Sequence, residues 1–473
     1  MAGDDGLSYE PGWRIADRIA RKDISPVEVA RHFLDRIARL DPQINAFITL
    51  AGDQYLAQAA EAERAVMRDD RLGPLHGLPV SVKDQISTRG IRTTGGSLLL
   101  RDNVPAEDAA CVERVKAAGG AVIGKTNLPE FAMSAHTTNR LAGPTRNPWA
   151  PGRSPGGSSG GAAAALAAGM GPLAIGSDGG GSLRIPAALC GVFTLLPGTG
   201  RVPRHGSFGE TLFATGLGPM TRDVRDAAAL LQVIAGADPR DGASSATPPG
   251  DYLAGLDAGV KGLRLAWCPD LCREEGDRPD PAVIAAVAAR ARALAQEGAV
   301  VEELGDRLDD ISDAFWVITN GDRASSVGQD YYLDPARRAL LTPTVRERLK
   351  HAMTITAGEY THALRMRYRF IAAFRQYFER YDAILTPTAA MVAPPVGDVP
   401  SAAPSHPGLT AFTKVVNFVG CPAASVPCGL VDGLPVGLQI IGARDHEALV
   451  LRIARTLEGI APWADSYRAI PLA

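Results

Sequence analysis

Short apolar runs rich in β-branched residues alternate with helical patterns along most of this chain, and this alternation limits the folds open to it. The runs are separated by glycine-rich turns and helices, and they lie at residues 78–82, 121–123, 173–175, 263–267, 383–385 and 424–426. Strands that alternate with helices predict an α/β fold in which helices cover the faces of a sheet. Long amphipathic patterns at 280–297 and 357–381 predict two of the surface-packed helices.

The first 70 residues have a different pattern. Residues 13–40 repeat apolar positions with a helical period, and the segment 25–28 supplies an N-cap serine, a first-turn proline and a capping-box glutamate. A further helix rich in alanine and glutamate is expected at about 54–67. We therefore predict an N-terminal helical arm over residues 1–70, followed by one large domain over residues 71–473.

Composition and charge exclude several classes of protein. Hydrophobic residues make up 46% and charged residues 21% of the chain, as in a soluble globular protein, and the formal net charge is −3. Such a charge gives no general attraction for phosphate backbones or anionic lipid, so neither nucleic acid nor membrane is an expected partner. The N-terminus has no apolar secretory segment, and we expect a cytoplasmic protein. Six cysteines lack paired CxxC spacing, and the close pair Cys268 and Cys272 has no further ligands to complete a zinc site.

Two glycine-flanked serines are the densest chemical signal. Ser158 lies in the glycine-serine segment 153–161, and Ser182 lies in a second segment, 176–186. Glycines around a serine let the backbone approach a substrate closely, which a flexible linker does not require. The intervening residues 162–175 are apolar and would hold both loops on one buried element, so we interpret the pair as functional rather than as two flexible turns.

Two other motifs are weaker. Residues 156–160 match G-x-S-x-G, the nucleophile elbow of α/β-hydrolases, but that site needs an acid and a histidine downstream, and the downstream histidines lie in polar or helical surroundings. Residues 119–126 match a phosphate-binding loop as written, but their interior is apolar and Asn-Leu-Pro follows where a helix should begin. We predict a strand that ends in a turn there, with no nucleotide site.

A serine nucleophile needs a base, and Lys83 is the candidate. It follows the apolar run 78–82, which favours burial. Desolvation lowers the pKa of a lysine amine, and a neutral amine can act as a general base near pH 7. The same pattern also fits a solvated surface lysine or a partner for Asp84, and the residues alone leave these alternatives open.

Several ordered motifs together are more specific. The segments 76–84 (HGLPVSVKD), 124–133 (GKTNLPEFAM), the two serine loops, 382–388 (DAILTPT), 417–427 and 434–442 (LPVGLQIIG) resemble the amidase signature family over nearly the whole chain. The resemblance implies a single α/β/α sandwich on a large mixed, mostly parallel, twisted sheet. It also implies an enzyme that cleaves a small carboxamide.

The resemblance assigns roles to individual residues. Ser182 would be the nucleophile, Ser158 the bridging serine and Lys83 the base of an acyl-enzyme mechanism. The bond between Gly157 and Ser158 would be cis. Backbone N–H groups would form the oxyanion hole at Gly179, Gly180, Gly181 and Ser182. No cofactor and no metal is expected.

Other residues near these motifs are candidates for binding the substrate. They are Met133, Ser134, Asp178 and Arg184. Arg184 would either hold a substrate carboxylate, as an arginine does in some relatives, or brace the structure, and Asp178 fits bracing of the nucleophile loop better than reaction. Ser159 is the nearest rival of Ser158, with capping of the following helix as its other reading. The pocket walls are expected from 310–380 and the proline-rich segment 391–408.

The chain also departs from the family pattern. Leu196 replaces a common lysine, residues 341–367 lack the R-I-x-L-G pattern of tRNA-dependent amidotransferase subunits, and 408–417 lack the acidic residue that those subunits use for glutamine. The alternatives are therefore a glutamine-hydrolysing subunit of such a complex, or a non-catalytic relative that binds a ligand. The sequence leaves the type of amide and the oligomeric state open, with a homodimer as the working assumption.

Overall fold

The strands of this chain form one mixed sheet. The computed structural model describes residues 6–209, 211–271, 279–305, 310–396 and 407–472. The strands are β1 (Phe47–Leu50), β2 (Pro79–Lys83), β3 (Ala121–Thr126), β4 (Leu173–Asp178), β5 (Phe193–Leu196), β6 (Gly216–Thr221), β7 (Arg264–Trp267), β8 (Val300–Glu303), β9 (Ala383–Pro387), β10 (Ala423–Val431) and β11 (Leu434–Gly442). Each of the six apolar runs singled out in the sequence forms one of these strands.

Helices occupy most of the remaining described chain. They are α1 (Gly6–Tyr9), α2 (Gly12–Ala20), α3 (Pro26–Ile44), α4 (Gly52–Met67), α5 (Ala110–Ala117), α6 (Gly160–Ala167), α7 (Arg184–Cys190), α8 (Val224–Ile234), α9 (Pro281–Gln296), α10 (Ser312–Arg323), α11 (Pro335–Leu340), α12 (Pro343–Ala352), α13 (Ala357–Arg380), α14 (Pro407–Thr410), α15 (Lys414–Val419) and α16 (Glu447–Ile460). A π-helical segment, Ala324–Tyr332, continues α10, and short 3₁₀ turns lie at Leu98–Leu100, Glu130–Ala132 and Ala464–Ala469. Among the helices of the described residues, none combines the length and apolar character that crossing a membrane requires.

The strand order is β1-β3-β2-β4-β6-β5-β10-β11-β9-β7-β8 in the described part of the chain. The predicted α/β fold on a single mixed sheet is confirmed, but the expectation of mostly parallel strands is wrong. Within the described ranges, only the pairs β2–β3, β2–β4, β7–β8 and β7–β9 are parallel. The other pairings are antiparallel, because hairpins such as β10–β11 and reversed neighbours such as β4–β6 occupy the middle of the sheet.

Helices cover both faces of the sheet. Every residue of β2, β3, β4, β5, β9 and β11 is buried, which requires a layer on each side. One group of helices, α6 and α7, packs together against the central strands. A second group, in which α5 contacts α8, α8 contacts α16 and α16 contacts α9, packs against strands of the same sheet. These two groups are the outer layers of the α/β/α sandwich.

The N-terminal arm is helical where the sequence predicts it, and Ser25 and Glu28 form the capping box of α3. The expectation of helices alone is wrong at one point, because Phe47–Leu50 forms edge strand β1 beside β3. This short segment lies between two strongly helical patterns, and the prediction of a helical arm does not separate it from them. The arm is fixed to the rest of the protein by Asp226, whose carboxylate accepts the N–H groups of Gly12 and Trp13, both at 2.7 Å.

Candidate active site

Two neighbouring parallel strands bring the candidate base and the serine loops together. Lys83 is the last residue of β2, and β4, which pairs with β2, ends at Asp178. Parallel strands end at the same edge of a sheet, so the residues that follow them meet there. Ser158 lies just before α6 and Ser182 just before α7, and these two helices pack against each other. The fold thus brings four chain segments together at one edge of the sheet.

The amine of Lys83 lies among oxygen atoms in the interior. Its Nζ is 2.6 Å from Oγ of Ser158, 2.8 Å from Oγ of Ser177 and 3.4 Å from the carbonyl oxygen of Ser177. The Lys83 side chain is 0% exposed and Ser158 is 1% exposed. Of the two alternatives to a buried base that the sequence left open, the solvated surface lysine is therefore excluded.

The hydroxyl of Ser177 forms hydrogen bonds with both Gln85 and Lys83. Gln85 donates through Nε2 to the carbonyl of Phe208 at 3.2 Å, so its Oε1 faces Ser177 and accepts the Ser177 hydroxyl at 3.0 Å. The Ser177 oxygen is then an acceptor toward Lys83. The hydroxyl and carbonyl oxygens of Ser177 accept hydrogen bonds from the Lys83 amine at 2.8 and 3.4 Å, and the Ser158 hydroxyl lies closer to the same amine, at 2.6 Å.

The peptide bond between Gly157 and Ser158 is cis, as the resemblance implies. Ser159, the rival for the bridging role, donates its hydroxyl to the carbonyl of Ser177 at 3.1 Å. It is the N-cap residue of α6 but makes no side-chain capping hydrogen bond, so the capping interpretation is wrong. Its hydroxyl ties the start of α6 to the end of β4.

Ser182 meets Ser158 in one pocket. Both serines line it together with Ser177, Gly179 and Gly180, and no histidine is among the described residues of its wall. An α/β-hydrolase triad therefore has no histidine to use here. The predicted contacts Met133 and Ser134 also lie on the wall.

The loop that carries Ser182, residues 179–182, is braced by the carboxylate of Asp178. Asp178 accepts the backbone N–H of Gly181 at 2.5 Å and that of Gly180 at 3.2 Å. Gly181 has a φ of +126°, and a Cβ there would lie 2.3 Å from Oγ1 of Thr413, so no other residue fits. In this conformation the N–H of Gly181 donates to Asp178 rather than pointing into the pocket.

Asp178 and Arg184 do not line the pocket. Both are fully buried and form an ion pair, with Arg184 Nε 2.9 Å from Oδ2 of Asp178. The remaining guanidinium nitrogens donate to Gln439 at 2.6 Å and to Asn417 at 2.5 Å. Burial raises the pKa of Asp178, but the Arg184 charge and hydrogen bonds outweigh it and lower that pKa to about 2. The predicted substrate contacts at these two residues are corrected to bracing of the nucleophile loop.

Helices from the region 310–380 supply one wall of the pocket, as expected. Phe315, Trp316 and Arg323 come from α10 and Arg348 from α12. Of the proline-rich segment 391–408, residues 397–406 lie outside the described chain, as does Cys272. Sequence reasoning missed the pocket residues Gln85, Ser177, Arg323, Arg348 and Lys414. Arg323, Arg348 and Lys414 lie in helices and belong to no local motif, whereas Gln85 and Ser177 adjoin or lie within quoted segments that do not by themselves mark them as pocket residues.

Comparison with known proteins agrees with this geometry. A family model described as Amidase matches residues 28–451. The chain belongs to the amidase signature family. It is therefore an enzyme that hydrolyses carbon–nitrogen amide bonds, in agreement with the sequence analysis.

Relatives of this amidase have several functions. It is 37% identical over 474 residues to a glutamyl-tRNA(Gln) amidotransferase subunit from Moorella thermoacetica, with 96% of each chain covered. It is 36% identical over 475 residues to an acylamidase from Rhodococcus erythropolis, with 98% of each chain covered. Its fold matches the crystal structure of a bacterial aryl acylamidase with a TM-score of 0.88 at 30% identity, and 98% of each chain is covered.

Proposed function

We propose that this amidase hydrolyses a small carboxamide through an acyl-enzyme on Ser182, with Ser158 and a neutral Lys83 as the proton relay. The observation that carries the proposal is the 2.6 Å contact between Nζ of Lys83 and Oγ of Ser158 at the base of the pocket that Ser182 lines. Burial favours the neutral form of an amine, and the neutral form is the one that can accept the proton of Ser158.

The reaction then has two stages. Lys83 takes the proton of Ser158 while Ser158 takes that of Ser182, whose oxygen attacks the amide carbonyl and forms a tetrahedral intermediate. The carbon–nitrogen bond breaks, the relay returns a proton to the leaving nitrogen, and ammonia or an amine departs. Water attacks the resulting ester by the same relay, which releases the carboxylic acid and restores Ser182.

Backbone N–H groups of the nucleophile loop would stabilise the charge on the carbonyl oxygen. Gly179 and Gly180 line the pocket beside Ser182, which supports an oxyanion hole built from this loop. Gly181 is part of the same proposal, although the N–H groups of Gly180 and Gly181 are both directed at Asp178 in this conformation. One such donor typically contributes about 3–4 kcal/mol to lowering the barrier.

A fluorophosphonate probe tests the proposal directly, because it reacts with an activated serine. We expect one covalent adduct on Ser182, lost in Ser182→Ala and strongly slowed in Lys83→Met. Ser159→Ala, which removes a neighbouring hydroxyl that does not contact the amine, is the matched control and should label like the wild type. Absence of an adduct at every pH tested would instead support a relative that binds a ligand without catalysis.

A second candidate is the glutamine-hydrolysing subunit of a tRNA-dependent amidotransferase. The observation in its favour is the 37% identity to one such protein over nearly the whole length of both chains. Glutaminase activity that rises when partner subunits co-purify would support it. Full amidase activity of the isolated chain on amides unrelated to glutamine would favour the first candidate.

A further inference from the structure

The pocket that holds the catalytic serines has a strongly cationic wall. Three of its lining residues, Arg323, Arg348 and Lys414, carry basic side chains, and none of the described lining residues is an aspartate or glutamate. A wall of this kind is costly to bury, because like charges repel one another strongly where little water screens them.

Arg323 has donors that the protein leaves unused. It ends α10, is 9% exposed, and its Nε and Nη1 are buried with no hydrogen-bond partner in the described part of the chain. The adjacent carboxylate of Asp322 is directed elsewhere, to the hydroxyl of Tyr360 at 2.6 Å and the N–H of Leu212 at 2.8 Å. Buried donors of this kind are normally satisfied, and Arg323 lines the pocket, so an acceptor supplied by a ligand would complete its hydrogen bonds.

Arg348 donates hydrogen bonds to the protein through two of its guanidinium nitrogens but, within the described chain, not through the third. Its Nε donates to Asn320 at 3.0 Å and its Nη1 donates to the carbonyl of Met133 at 3.1 Å. Its Cζ lies 4.8 Å from the centroid of the Trp316 ring. Its Nη2 is buried without a partner among the described residues. The Nζ of Lys414 lies 5.8 Å from the centroid of the same ring, so Trp316 contacts two of the three cations.

The electrostatics agree with this geometry. Burial lowers the pKa of Arg323 to about 10. Burial, and then the charge of Arg323, lowers the pKa of Arg348 well below its usual range. An anion placed between the two guanidiniums would offset both effects.

We propose that the substrate's acyl part carries a carboxylate, as in the monoamide of a dicarboxylic acid, and that Arg323 and Arg348 bind it while Ser182 attacks the amide. This inference rests on the proposed amidase function and names its substrate class. It also separates the two candidate functions. Glutamine adds an α-ammonium group that needs an acidic partner, and the charged residues of the described wall are all basic.

Three amides of nearly equal length test this inference. Glutaramate carries the carboxylate, pentanamide replaces it with a methyl group, and L-glutamine is glutaramate with an added ammonium. For the wild type we expect kcat/KM for glutaramate to exceed that for each of the other two by at least about 30-fold. In Arg323→Gln and Arg348→Gln the glutaramate-to-pentanamide ratio should fall below about 3, whereas Arg346→Gln, on the same helix but off the pocket wall, should keep it.

Binding to the Ser182→Ala protein separates this inference from the proposed function. Calorimetry should show glutaramate binding that weakens at least about 30-fold on adding Arg348→Gln, whether or not Ser182 is the nucleophile. Equal affinities for glutaramate and pentanamide would overturn the carboxylate site even if Ser182 labels normally. Glutamine hydrolysed as efficiently as glutaramate would overturn the exclusion of an ammonium group. Two arginine variants are used, each checked by circular dichroism, so that a folding failure in one does not decide the outcome.

Discussion

Replacing Ser177 with alanine tests which hydroxyl exchanges a proton with Lys83. Ser158 and Ser177 both lie within 2.8 Å of its Nζ, so distance alone does not choose between them. The hydroxyl proton of Ser177 is committed to Gln85, which makes Ser177 an acceptor that only positions the amine. Its removal deletes one hydrogen bond worth about 1 kcal/mol, and we therefore expect kcat/KM to fall about fivefold.

Ser158→Ala should behave differently, because it removes the group that carries the proton. General acid–base steps contribute about 10²–10⁴-fold, and a loss in that range is expected. The assay is release of ammonia from one amide under kcat/KM conditions, with Ser159→Ala as the control for losing a buried hydroxyl nearby. A loss above about 100-fold in Ser177→Ala, together with mild loss in Ser158→Ala, would show that the proton passes through Ser177 and would refute the assignment.

Three further predictions concern charged groups. Lys83→Met should lower kcat/KM by at least about 100-fold, and turnover like the wild type would remove the relay. Arg184→Gln should cost about 3–5 kcal/mol of unfolding free energy in urea, because it leaves the buried Asp178 carboxylate without its partner. The pKa of Asp178 is about 2, against the usual 3.8, so the pair stabilises the fold fully above about pH 4. The loss of unfolding free energy in Arg184→Gln should therefore shrink as the pH falls toward 2. An unchanged urea midpoint at pH 7 would contradict this prediction. Burial lowers the pKa of Lys414 to about 8, so competitive inhibition by glutarate should weaken as pH rises through 8, and Lys414→Met should remove that dependence.

The apolar runs of the sequence predict six of the eleven strands in the described chain and miss β1, β5, β6, β8 and β11. The missed strand β6 contains two glycines and a proline, and β8 is a short edge strand with an exposed valine. Neither segment has the continuous apolar character of a buried strand. The direction of pairing also differs from the expectation, because alternating strands and helices suggest parallel neighbours while the tertiary fold inserts hairpins between them.

At the site, residues within ordered motifs are predictable from the sequence and residues outside them are not. Lys83, Ser158 and Ser182 lie in glycine-rich or strand-ending motifs, and the structure brings all three to one edge of the sheet. Arg323 and Arg348 lie in helices, where an arginine usually faces solvent, and only the packing of α10 and α12 turns them toward the pocket. Their role depends on contacts between distant segments, which no local pattern encodes.

The residues of the proposed relay and the two arginines proposed to bind the carboxylate belong to separate stretches of chain. The proposed relay ends at residue 182, whereas Arg323 and Arg348 lie in helices inserted between β8 and β9, two strands that each pair with β7. Selection is therefore free to rewrite that insertion, and so to change which amides are accepted, without disturbing how they are cleaved. Exchanging residues 312–352 between two such enzymes should carry substrate preference from one to the other, which makes this segment the natural starting point for redesign.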